Sequence, residues 1–107
     1  MEIDRELLKG SISLLLLNLL SRGEMYGYEI LQAAAVRTPL SLRRVRFTWH
    51  CNQVEKKCHI KAQWRTGDNG RERKYYSLTA KGRKAALEYE RQWTHLTGAV
   101  KAVLEGK

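Results

Sequence analysis

The apolar positions of this chain change period along its length. Leu7, Leu8, Ile12, Leu14, Leu15, Leu16, Leu17, Leu19 and Leu20 make a helix from about Arg5 to Ser21 apolar on most of its circumference, which puts it at the centre of a core. Arg22-Gly23 ends it, and Tyr26 to Ala33 predicts a short second helix with Tyr28, Leu31 and Ile30 turned inward. Beyond Ile60 the pattern shifts. Lys61 to Arg65 and Arg73 to Leu78 can alternate as strands, and the Gly/Asp/Asn/Gly cluster between them is of the kind that closes a β-hairpin. Thr79 is suitably placed to cap a last helix, Thr79 to Leu104, along which Leu87, Tyr89, Trp93, Leu96, Val100, Val103 and Leu104 recur at helical spacing. The elements together predict a mainly α fold with a small β-hairpin: a winged helix-turn-helix over residues 1–78 and a C-terminal helix over 79–107.

At 107 residues the chain fits one domain with a core small enough for a partner subunit to complete. A compact wing domain cannot cover the whole stripe of the last helix, so Leu87, Trp93, Leu96, Val100 and Val103 are expected at a homodimer contact, with Gly98 allowing close approach. The formal charge of +9 favours a polyanionic partner. A bilayer is a poorer partner, because the apolar run Ile12 to Leu20 is far below the ~20 residues of a span. Glu2, Asp4 and Glu6 spoil the basic start of an export signal, so a cytoplasmic location is expected, with Cys51 and Cys58 as free thiols.

Several segments, taken together, resemble the PadR family of transcriptional regulators. They are Leu7-Leu8-Lys9-Gly10-Ser11, Arg22 to Leu31 (RGEMYGYEIL), Val54-Glu55-Lys56-Lys57, Ile60 to Trp64, Asn69 to Tyr76 and Leu78-Thr79-Ala80-Lys81-Gly82. The resemblance implies a DNA-binding repressor, double-stranded DNA as partner, and for many relatives a small-molecule effector near the dimer interface, where Trp93 is the residue to watch. Residues 35–52 (AVRTPLSLRRVRFTWHCN) depart from the family pattern at unchanged length, as two compensating frameshifts would produce, and Cys58-His59 stands where the family has a glycine.

For the duplex, the hairpin supplies Arg65, Arg71, Arg73 and Lys74, and the end of the helix around Phe47 to Lys57 supplies Lys56, Lys57 and, just beyond it, Lys61. Tyr75 and Tyr76 should split, one packing inward and one reaching a phosphate; Tyr76 is taken as the outward one. Gln53, and beside it Asn52, have amides able to read adenine. His50-Cys51 and Cys58-His59 lack the spacing of a zinc site, and Cys51 and Cys58, seven apart, read better as small buried residues on one helical face. Neither a cofactor nor catalysis is expected, since no phosphate-binding loop or nucleophile motif occurs. The alternatives are a protein-interaction module on a winged-helix scaffold, and a family member with an impaired recognition helix.

Overall fold

A computed structural model describes residues 4–37, 46–67 and 69–106. In chain order these form α1 (Arg5–Lys9), α2 (Ile12–Leu20), β1 (Met25–Tyr26), α3 (Gly27–Arg37), α4 (Phe47–Lys56), β2 (Ile60–Thr66), β3 (Glu72–Leu78) and α5 (Ala80–Leu104). The single helix predicted for 5–21 is two. Asp4 caps the first, accepting the Glu6 N–H at 2.8 Å, and at the break the Ser11 hydroxyl donates to the Leu8 carbonyl at 2.9 Å. Ile12, Leu16, Leu17 and Leu20 of α2 form the centre of the core, packed by Ile30 and Ala34 of α3, Cys51 and Val54 of α4, Ile60, Tyr76 and Ala86.

The hairpin carries a third strand that the sequence does not announce. The sheet order is β1-β3-β2, all antiparallel, with Tyr26 opposite Tyr75, and Ile60, Ala62 and Trp64 opposite Leu78, Tyr76 and Lys74. Because Tyr26 belongs to the sheet, α3 starts one residue later than predicted and runs on to Arg37. Its inward side is Ile30 and Ala34, with Leu31 half-buried. Tyr28 is 55% exposed, contrary to expectation: two residues from Ile30 is more than half a turn of helix.

Between α4 and β2 the chain turns in a Schellman arrangement. The Cys58 N–H donates to the Glu55 carbonyl at 2.9 Å and the His59 N–H to that of Val54 at 3.2 Å. Cys58 holds the left-handed position at φ +63°, which glycine would occupy without strain and an L-residue occupies at a cost of about 1 kcal/mol. It is exposed while Cys51 is buried, so the two cysteines do not share a buried face.

The first turn of α5 locks onto this same turn. Thr79 Oγ1 accepts the Gly82 N–H at 2.9 Å and donates to the Cys58 carbonyl at 2.6 Å, while the Thr79 N–H donates to the His59 carbonyl at 3.0 Å. Gly82 lies so close that a Cβ there would stand 1.9 Å from the His59 carbonyl oxygen. The expected division at 78/79 therefore falls at the N-cap of α5, where the helix is bonded to the body. His59 itself is buried, edge-on to Tyr89 at 6.1 Å. Burial first, then the charges of Lys81 and Lys57, hold its pKa below the ordinary histidine value.

Candidate nucleic-acid interface

α3 and α4 pack on α2 as the two helices of a helix-turn-helix, and the β2–β3 hairpin stands beside them as a wing. The outer face of α4 follows from its inner one. Cys51 and Val54 are fully buried, so at 3.6 residues per turn Trp49, Asn52 and Lys56 fall on the opposite side with Thr48 at its flank, and all four are exposed. Of the two amides, Asn52 faces out and Gln53 is half-covered at the edge of that face. Trp49 belongs to the exposed face without having been singled out from the sequence; phasing the helix on Cys51 and Val54 as buried residues finds it. Arg46, at the N-cap, is exposed as well, whereas Pro39, Arg43 and Arg44 lie outside the described residues.

The wing cations divide by what holds them. Both terminal nitrogens of the Arg65 guanidinium donate to the Glu24 carboxylate, Nη1 to Oε1 and Nη2 to Oε2 at 2.9 Å, and this hydrogen bonding raises the Arg65 pKa further. The guanidinium also lies 5.1 Å from the Tyr75 ring. Arg73, half-buried, sits 4.4 Å over the ring of Tyr26. Lys74 points the other way, its Nζ 3.6 Å from the Glu55 carboxylate on α4, which ties the wing to the helix and screens the acidic group that would repel phosphate. At the tip, the Gly67 N–H donates to the Arg71 carbonyl at 2.8 Å and Asn69 accepts the Arg71 N–H at 3.2 Å. Arg71 is exposed there, as are Lys56, Lys57 and Lys61 near the α4–β2 turn.

Tyr76 corrects an expectation. It is 6% exposed and part of the core, so it cannot reach a phosphate; the two side chains do split, but Tyr76 is the inward one. Register decides this: Tyr76 lies opposite Ala62 and Met25 on the core face, whereas Tyr75 lies opposite Gln63 and Tyr26 on the other. Burial pushes the Tyr76 hydroxyl and the Cys51 thiol each to about 12, so both stay protonated at neutral pH.

Along α5, Trp93, Leu96, Val100 and Val103 continue the line of Gly82, Ala86 and Tyr89 and are all exposed. Leu87 does not join them. It precedes Leu96 by two and a half turns and so points to the opposite side, as does Gly98, beside which nothing lies within 4 Å. A groove of about 250 Å³ separates Gly10, Ser13 and Leu14 from Tyr89, Gln92, Trp93 and Leu96.

Two packed helices, a hairpin alongside the second and a long helix after it define a winged helix-turn-helix protein. The model of the transcriptional regulator PadR-like family matches residues 16–88, and the chain belongs to that family. It is 28% identical over 103 residues to an uncharacterized protein of Lysinibacillus sphaericus, covering 94% of each. A PadR family transcriptional regulator from Eggerthella lenta superposes with a TM-score of 0.83 at 27% identity, covering 95% of this chain and 88% of that one. A transcriptional regulator from Clostridium thermocellum shares the fold, with a TM-score of 0.82 at 23% identity over 90% of this chain and 95% of that one. The chain is thus a DNA-binding regulator and not an enzyme. Among the described residues no helix is long and apolar enough to cross a membrane.

Proposed function

We propose that this protein is a transcriptional repressor that binds operator DNA as a homodimer, with residues 1–78 as the DNA-binding part and 79–107 as the dimerising helix. The observation that carries the reading is the placement of the exposed α4 face and the cationic hairpin side by side on one body, joined through Lys74 and Glu55. α4 would lie in the major groove and the wing along the neighbouring backbone. Lys56, Lys57, Lys61, Arg71 and Arg73 then contact phosphates, while Arg65 and Lys74 brace the wing through their carboxylates. The stripe Trp93, Leu96, Val100 and Val103 supports pairing of two α5 helices, which sets the spacing of two half-sites. An effector has a place in the groove lined by Tyr89, Trp93 and Leu96.

The test is a salt titration of duplex binding by fluorescence anisotropy. Affinity should fall by about 0.9 log unit per log unit of salt for each phosphate neutralised, and a double variant R71A/R73A should reduce the slope by about two such steps per protomer. Undetectable binding at low salt would leave the protein-interaction module as the better reading.

A further inference from the structure

Trp49 is 50% exposed in the first turn of α4 and is not among the described residues that form the core or pack against it. It is not loose: the ring stands edge-on to His50 at 5.0 Å. His50 is half-buried, and burial, then the charge of Lys9, lowers its pKa, so it backs Trp49 as a neutral ring at pH 7. One turn further along the same face is Asn52, exposed, with no hydrogen bond to its amide from any described residue. The pair is separated by about 4.5 Å along the helix axis, close to the step between adjacent base pairs of about 3.4 Å. Glu55, the one carboxylate on α4, is held by Lys74 and turned to the wing, away from any cytosine amine.

Chemistry narrows what these two side chains can read. An asparagine amide matches the N6 and N7 edge of adenine with two hydrogen bonds, and an apolar ring in the major groove is attracted to the C5-methyl of thymine. We propose that Asn52 and Trp49 are specificity determinants that read two adjacent A·T pairs in each half-site, Asn52 through adenine and Trp49 through a thymine methyl. This rests on the DNA-binding reading above and adds to it which bases are chosen and by which residues. Lys56, the next exposed residue on the face, anchors the helix on phosphate and carries no sequence information.

The experiment is selection by the full-length protein from a duplex pool with a randomised core, followed by binding of the enriched duplex with single bases modified. Uracil in place of thymine removes the methyl, and 7-deazaadenine removes N7. The expected result is enrichment of adjacent A·T pairs, with a loss of about ten-fold for each modification at one position. W49A should lose its sensitivity to uracil and N52A its sensitivity to 7-deazaadenine, both with the native helix content by circular dichroism. If duplex is retained but no sequence is enriched, or both modifications are neutral, or the variants keep the full preference, the assignment is overturned while DNA binding stands. If no duplex is retained at low salt, the DNA-binding reading falls and the assignment with it.

Discussion

The two halves of α5 share one helix and nothing else. From Ala80 to Tyr89 it is bonded and packed: Thr79 caps it on the Cys58–His59 turn, Gly82 touches backbone, Ala86 is buried and Tyr89 meets His59. From Glu90 to Leu104 every residue but Ala102 is exposed, including Trp93, Leu96, Val100 and Val103, although the apolar stripe continues unbroken. The same pattern of residues is thus core in one half and open surface in the other. Periodicity marks the face of a helix that wants a neighbour, and the surrounding chain decides whether that neighbour is internal.

The sharpest way to separate the halves is a pair of glycines. Gly82→Ala drives a methyl into the His59 carbonyl and should cost about 3 kcal/mol, a fall in Tm on the order of 15 °C by thermal unfolding. Leu96→Asp, in the open half, should leave the fold of the body intact and weaken the homodimer by about a hundred-fold, measured by analytical ultracentrifugation; an unchanged sedimentation profile would remove α5 from the interface. Gly98→Ala has open space and should stabilise the helix by about 1 kcal/mol, the opposite sign to Gly82→Ala.

The smallest expected effect is on pH dependence. Burial lowers the His59 pKa, so the unfolded chain takes up a proton before the folded one does. Stability is full above the ordinary histidine pKa of about 6.5 and falls as pH drops below it, until the folded-state pKa is passed. His50, shifted the same way, adds to the trend. His59→Asn should therefore show a smaller loss of Tm between about pH 7.5 and about pH 5.5 than the native chain. An equal loss would assign the acid sensitivity elsewhere.

Much of this architecture is legible in the residues. α5 falls where the pattern and Thr79 predict it, α4 where the resemblance puts a helix around Phe47 to Lys57, and the hairpin follows its turn residues. What is not legible has a physical cause in each case. β1 is two residues long, too short for alternation to mark, yet it displaces the start of α3. Alternation says that Tyr75 and Tyr76 diverge, but only the pairing of Ile60 with Leu78 in the core says which one is buried. The charges of Arg65 and Lys74 are visible in the sequence, whereas their carboxylate partners, Glu24 and Glu55, are brought in by the fold. Leu87 and Gly98 are on the wrong side of α5 for the roles their spacing first invites, because neither is in step with Gly82, Ala86 and Tyr89.

The bonds of Thr79 to the Cys58–His59 turn have a mechanical meaning. They fix one end of a 25-residue rod, about 37 Å long, at the junction where α4 ends and the wing begins. A rod clamped in this way is a lever. The open half, Glu90 to Leu104, is an arm of about 22 Å, so a tilt of about 10° where it leaves the body moves its far end by about 4 Å.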